Sequence, residues 1–442
     1  MLTATHPVLP LLTGEDSRPI AWRQGRAISL AEFKRDIASI ARELPASGPI
    51  INLCEDRYHF LASFAAALSV QRTSLLPPSR VERVVAEVEL ANSGSCRIDD
   101  ENIARALQGA ATASSSALLD DRFVAMIGYT SGSTGQPKAN VKRWRAVHGT
   151  NACNAAAIRS ELRLSPQEAA WIAATVPPQH MYGMELSVLL PLIGNMAVHA
   201  GRPLFPADVA ATLAELPEPR ILVSTPVHLR AIVESSQPFP RASLVISATA
   251  PLSRALAEAV EAKLGGALLE MFGSTETCVI AARRTALADA WQLYDGIVLE
   301  PMAETTRVNA PWFAGSVILQ DRVELHGSHS FAVLGRHSDM IEVAGKRASI
   351  ADLTSRLLAI EGVRDAAVIQ PETGNSGGIA RVAALVVAPT LSAQHILSAL
   401  ATSVDSAFLP RPLVLVDSLP RNELGKLPRE TLVAILRSSR SG

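Results

Sequence analysis

At 442 residues the chain is too long for one ordinary hydrophobic core, so two or three domains are expected. Hydrophobic residues make up 48% and the formal net charge is −1, which favours a packed globular protein and argues against a nucleic-acid-binding surface. The first residues lack the basic start and apolar core of a secretion signal, and no uncharged apolar run is long enough to span a bilayer. The most apolar stretch near the middle holds Glu185 and is broken by Pro191 and Gly194. Cys54, Cys96, Cys153 and Cys278 are scattered without metal-ligand spacing and read as reduced thiols of a cytoplasmic protein.

In chain order, Ile50-Ile51-Asn52-Leu53-Cys54 is a strand, and 58–70 is a helix with Phe60, Phe64 and Leu68 on one face. Phe123-Val124-Ala125-Met126-Ile127 is a buried strand. Further strands fall at 221–224 and 244–247, then a helix over 253–264 with Ser253 as N-cap, stopped by Gly265-Gly266. This alternation implies parallel sheets covered by helices, with ligands bound outside the carboxyl ends of the strands. A boundary is expected near 334–339, giving a large domain over 1–335 and a small one over 336–442. The latter pattern is α+β: helix 350–360, strands 365–369 and 382–387, helix 391–404. About 105 residues suffice for such a domain.

The run Tyr129-Thr130-Ser131-Gly132-Ser133-Thr134-Gly135-Gln136-Pro137-Lys138 carries the most information. Its glycines allow close backbone approach, its N–H groups and hydroxyls can converge on an anion, and Lys138 adds a compact charge. Composition alone equally describes a flexible loop, but a linker needs no buried strand before it. The common P-loop, and with it a kinase, is discounted by glycine spacing and by Pro137. Three more segments stand out in order: Pro177-Pro178-Gln179-His180-Met181-Tyr182-Gly183, Met271-Phe272-Gly273-Ser274-Thr275-Glu276, and Pro420-Arg421-Asn422-Glu423-Leu424-Gly425-Lys426.

Residues 129–138 resemble the phosphate-binding signature of the adenylate-forming enzymes, a superfamily of acyl- and aryl-CoA synthetases, peptide-synthetase adenylation domains and luciferases. The three later segments resemble that superfamily's acyl-pocket, aromatic-Gly-x-Thr-Glu and C-terminal lysine motifs. The stretches Asn52-Leu53-Cys54-Glu55-Asp56-Arg57-Tyr58-His59-Phe60-Leu61 and Leu75-Leu76-Pro77-Pro78-Ser79-Arg80 look like the ligases of aryl polyene and xanthomonadin-type pigment pathways. The resemblance implies an α/β fold: a large N-terminal domain of parallel sheets packed by helices, and a small mobile α+β C-terminal domain.

The implied reaction is attack of a carboxylate on the α-phosphate of ATP, release of pyrophosphate, and transfer of the acyl group to a phosphopantetheine thiol on coenzyme A or an acyl carrier protein. The acid expected is a hydroxybenzoate. By the same resemblance Glu276 holds Mg²⁺ with help from Thr134, and Thr275 stands beside it in the catalytic set. Thr130, Ser131, Gly132, Ser133, Thr134, Gly135 and Lys138 bind phosphate. Lys426 brings a charge to the acid and the α-phosphate. Ala248, Thr249, Ala250 and Phe272 face adenine, with Gly273 and Ser274 in the same nucleotide-binding set. Asp321 takes the ribose hydroxyls and Arg336 assists there or at phosphate. His180 lines the acyl pocket. Tyr182, Met184, Val223, Ser224, Ser274 and Cys278 are candidate neighbours of the acid.

Bland roles compete with these: a helix N-terminal carboxylate for Glu276, a solvated lysine for Lys426, core packing for Phe272, a structural histidine for His180 and an apolar filler for Cys278. Two departures from the family pattern stand out. Leu319-Gln320 replaces the usual Thr-Gly before the aspartate, and the hinge falls on Ser338 or Asp339. About sixteen residues follow Lys426, too few for a fused carrier domain. The rival readings are a medium- or long-chain fatty acyl synthetase and a non-catalytic nucleotide-binding protein of the same fold. Binding alone does not need Lys426.

Overall fold

The computed structural model describes residues 6–109, 117–131, 137–336, 339–343, 346–370, 382–421, 427 and 429–439. The expectations placed on Gly132, Ser133, Thr134, Gly135, Ser338 and Lys426 lie outside them.

Two sheets organise the larger part of the chain. The larger has eleven strands, and its middle is parallel: Pro19–Arg23, Ala197–His199, Trp171–Ala174, Arg220–Ser224, Leu244–Ser247 and Ala267–Ser274. These strands are short apolar runs buried on both faces, as parallel strands under helices must be. The edges depart from the expected all-parallel pattern. Arg26–Ser29 closes one side antiparallel, and Cys278–Arg283, Trp291–Leu293, Ser330–Arg336 and Asp321–Leu325 extend the other the same way. Most of these are neighbours along the chain joined by short connections, which permit hairpins where parallel pairing needs a crossover; Trp291–Leu293 and Ser330–Arg336 are the exception. The second sheet runs Cys96–Ile98, Ile50–Asn52, Ser74–Leu76, Val124–Ser131 and Pro137–Arg143, only the last antiparallel.

One apolar core joins the two sheets, taking in Ile50, Leu76 and Met126 from one and Ile172, Val223 and Ile246 from the other. The helix Arg57–Ser69 belongs to it. It is buried all round, as a sequence apolar on every face requires, and Asp56 caps it through the N–H of His59. Arg57 is fully buried and its guanidinium is spent on carbonyls, Ala174 at 2.9 Å and Val176 at 2.8 Å, and on Ser187 Oγ at 2.5 Å. It thereby fixes the end of a central strand to the segment that follows His180. The helix Arg254–Leu264 starts where expected, with Ser253 accepting from Leu256 N–H at 3.2 Å.

From Ile341 onward the buried residues form cores of their own. Strands Asp365–Ile369, Ala383–Val387 and Leu413–Leu415 make a three-stranded sheet. Alternate residues face opposite sides: Ala366, Val368, Ala384 and Val386 pack with helices Ile350–Leu358 and Ala393–Leu400. Ala367, Ile369, Ala383 and Leu385 pack with helix Arg429–Ser438. Arg364 reaches Glu234 of the earlier part at 3.7 Å. Among the described residues no helix is long and apolar enough to cross a membrane.

Candidate active site

Two β-hairpins build the site. In the first, the register pairs Thr130 with Lys138, Gly128 with Asn140 and Met126 with Lys142, so these six share one face. A Cβ placed on Gly128 would meet Met181 at 3.5 Å and Thr275 at 3.8 Å. The face therefore looks onto the His180 segment and the Thr275 turn. As expected, each motif follows a strand with a parallel neighbour, Val124–Ser131 beside Ser74–Leu76 and Ala267–Ser274 beside Leu244–Ser247; the strand after each returns antiparallel.

The second hairpin pairs Ala267–Ser274 with Cys278–Arg283 and shifts register between Phe272 and Gly273. At Gly273 the backbones touch: an added Cβ would stand 2.0 Å from the Cys278 carbonyl oxygen. Ser274 and Thr277 lock the turn, with Ser274 N–H donating to Thr277 Oγ1 at 3.0 Å and Thr277 N–H to Ser274 Oγ at 3.1 Å. Cys278 then takes a left-handed φ of 61°. Glu276 thus sits in a tight turn between strands, so the helix-terminus reading does not apply. Its carboxylate is part-exposed and lies 4.0 Å from Lys138 Nζ.

Sequence reasoning missed two residues beneath that turn. Lys142 is buried and donates to the Glu276 carbonyl at 2.5 Å. Glu185 is buried and accepts from Val279 N–H at 3.1 Å and from Asn154 Nδ2 at 3.1 Å. Strand parity gave a signal for Lys142, four residues after Lys138 on the same face. Burial pushes the Glu185 carboxyl up to about 7, while Val279, Asn154 and Lys142 pull it back. A folded value above the ordinary 4.5 means that the folded state holds more protons between those pH values. Stability from this group is full below about pH 4.5 and is lost as pH rises through about 7. Between about pH 5 and pH 8, urea denaturation should show the wild type losing up to about 3 kcal/mol relative to Glu185→Gln. A pH-independent difference would refute the shift.

The remaining expected residues fall as follows. His180 is half-buried at the start of a helical turn, and its carbonyl accepts from Met184 N–H at 2.7 Å. Gly183 is tight against Pro177, whose carbonyl would lie 2.0 Å from an added Cβ. Tyr182 Oη stands 3.0 Å from the carbonyls of Ser224 and Ile246, at the ends of two central strands. Arg80 donates to the carbonyls of Leu53 at 3.1 Å and Cys54 at 2.5 Å and reaches Gln179 at 3.4 Å, which ties the N-terminal segments to 177–183. Burial pushes the Cys278 thiol up to about 12, so it is no thiolate nucleophile at neutral pH.

After strand Leu244–Ser247, Ala248 is buried and Ala250 half-buried, with Thr249 between them at a φ of 81°, rare for a β-branched residue. Phe272 packs against Trp291 at 5.2 Å and Phe331 at 5.7 Å between centroids. Asp321 and Arg336 are register partners at the sheet edge, with Nε 3.3 Å from the carboxylate, and burial raises the Asp321 carboxyl against the pull of Arg336. Arg421, at the head of the Lys426 segment, is held by Asp365 at 2.6 and 2.8 Å.

The fold is that of the adenylate-forming enzymes. O-succinylbenzoate coenzyme A synthetase from Bacillus subtilis, solved with ATP and magnesium, aligns with a TM-score of 0.76 over 94% of this chain and 97% of that one, at 19% identity. The sequence is 28% identical over 306 residues to 4-coumarate–CoA ligase of Halorhodospira halophila, covering 67% of this chain and 73% of that protein. It is 37% identical over 152 residues to p-hydroxybenzoic acid–AMP ligase FadD22 of Mycobacterium marinum, covering 34% of this chain and 21% of that protein. The AMP-binding enzyme family model matches residues 46–306, and the chain belongs to that family, as an AMP-forming acid–thiol ligase.

Proposed function

We propose that this ligase activates a small aromatic acid of the hydroxybenzoate type and passes the acyl group to a phosphopantetheine thiol, on an acyl carrier protein in preference to coenzyme A. The observation that carries the reading is the seating of Thr275 and Glu276 against the hairpin face of Lys138. The aromatic acid is supported by relatives named for 4-coumarate and p-hydroxybenzoate, and by the likeness of 52–61 and 75–80 to pigment-pathway ligases.

In the first step a carboxylate oxygen of the acid bonds to the α-phosphorus of ATP, and pyrophosphate leaves with the electrons of the broken P–O bond. In the second the thiol sulfur bonds to the acyl carbon, AMP leaves, and the thiol proton passes to solvent. Two anions meet in the first step, so positive charge and placement are the protein's main contributions. Lys138 and the Thr130–Gly135 hydroxyls and amides hold the phosphates. Lys426 neutralises the attacking pair. Asp321 and Arg336 hold the ribose, Ala248, Thr249, Ala250 and Phe272 the adenine, and His180 the wall of the acid pocket.

The part-exposed Glu276 carboxylate fits a hard cation, with Thr134 as a second oxygen. Among the described residues no three His, Cys, Asp or Glu cluster as a metal cage, so Mg²⁺ here would share Glu276 with phosphate oxygens and spread their charge. Residues 336–442 act as a separate domain that turns about 336–339 between the steps, in a cytoplasmic enzyme.

Acid-dependent pyrophosphate exchange tests the class. ATP hydrolysis indifferent to every acid, releasing phosphate, sinks it. Comparison of kcat/KM then tests the substrate. Hydroxybenzoates should exceed benzoate about tenfold or more, because a buried polar partner left unpaired costs ~1–3 kcal/mol. A medium-chain fatty acid that outruns both would overturn the aromatic assignment and leave the ligase.

A further inference from the structure

We infer that Lys142 and Glu185 are positioning residues for Glu276, gripping the backbone of its turn from beneath so that the carboxylate stays aimed at the Lys138 face. The inference rests on the reading above that Glu276 carries the magnesium.

The geometry is a two-ended clamp. Lys142 Nζ holds the carbonyl of Glu276 at 2.5 Å, and the Glu185 carboxylate holds the N–H of Val279 at 3.1 and 3.2 Å. Glu276 lies in the turn 275–277 and Val279 is the second residue of the strand that leaves it, so the two bonds hold the backbone on either side of Cys278. Between them lies Cys278 at a φ of 61°, a conformation a non-glycine residue keeps only when its surroundings impose it. Glu185 is oriented in turn by Asn154 Nδ2 at 3.1 Å, and it begins a π-helical turn, Glu185–Leu189, which widens the helix after His180.

Burial separates this pair from the ligand side. The Lys138 side chain is 68% exposed on the hairpin face, whereas Lys142 on the same strand face is 5% exposed and Glu185 2%. One strand thus offers an outer cation to solvent and an inner one to the protein's own backbone. Both buried residues are turned to the backbone around Glu276, so both act through the turn. Burying two ionisable side chains is also a poor source of stability beside apolar ones of equal volume. Shape at the turn, rather than stability, is what these two charges supply.

The test uses the full-length protein and calorimetric titration with ATP, once with magnesium and once with a chelator. The readout is the gain in affinity that magnesium confers. Lys142→Met should cut that gain about tenfold, the equivalent of one charge-assisted bond to the turn, and leave metal-free affinity within about twofold. Glu185→Gln keeps an acceptor but no charge, so the cut should be about threefold. The double variant should lose no more than Lys142→Met alone, since both grip one turn. Glu276→Gln separates the two readings. A full gain in Glu276→Gln means that Glu276 is not the magnesium carboxylate. Loss of the gain in Glu276→Gln with its retention in folded Lys142→Met overturns the clamp alone. If Lys142→Met does not unfold cooperatively, Glu185→Gln decides by the same measure, and an undiminished gain overturns the clamp.

Discussion

Lys426→Ala should slow acid-dependent adenylation about 10²–10³-fold, the scale of losing one preorganised charge at a developing anion. Thioester formation from a supplied acyl-adenylate should stay within a few-fold of the wild type. The asymmetry follows from where the lysine comes from. Its segment begins at Arg421, which Asp365 anchors to the sheet of the C-terminal cores. On the proposed two-position mechanism, a charge delivered by that part leaves when the part turns, and the second half-reaction proceeds without it. Rates of pyrophosphate exchange and of thioester appearance, measured on one preparation, decide. Equal loss in both would mean that Lys426 holds the adenylate itself, and the two-position mechanism would lose its support.

Gly273→Ala should be nearly as damaging for a different reason. The new methyl carbon would stand 2.0 Å from the Cys278 carbonyl oxygen and 2.8 Å from Val279 Cα, both backbone atoms that no rotamer can move. The hairpin must open at its register shift, which costs about 3 kcal/mol and displaces the Glu276 turn. Both the denaturation midpoint and exchange activity should fall. Gly128→Ala is the control for stability. Its methyl would meet only ordinary contacts at 3.5 and 3.8 Å, and its midpoint should barely change. A Gly273→Ala protein with wild-type midpoint and activity would show that the turn is looser than its geometry.

Much of the frame is legible in the residues. The runs at 221–224, 244–247 and 365–369 are strands with little shift at either end, because a short apolar run between breakers has few other places to go. The Ser253 cap is legible for a local reason, one hydroxyl and one exposed N–H. The antiparallel edges are not legible, since pairing direction depends on which neighbour the tertiary fold supplies. The strand Pro137–Arg143 escaped notice because Asn140, Lys142 and Arg143 make it polar. Glu185 read only as an interruption of an apolar run. A charge there contradicts the usual rule for interiors, and its partners explain it, the Val279 N–H and Asn154 Nδ2. Of the site itself, the motifs marked which residues gather, but their seating on two facing hairpins needed coordinates.

The four free cysteines form a graded series of reporters. Cys96 and Cys153 are half-buried, while Cys54 and Cys278 are buried with thiols pushed up to about 12. Burial also raises the Cys153 thiol, to about 11, and the Cys96 thiol, so a thiol reagent in neutral buffer labels the first pair slowly and the second only through transient opening. Because Cys278 lies two residues beyond Glu276, its labelling rate is a chemical clock for that turn. Slowing of the clock by ATP would time, without any turnover, how firmly the nucleotide closes the ground beneath it.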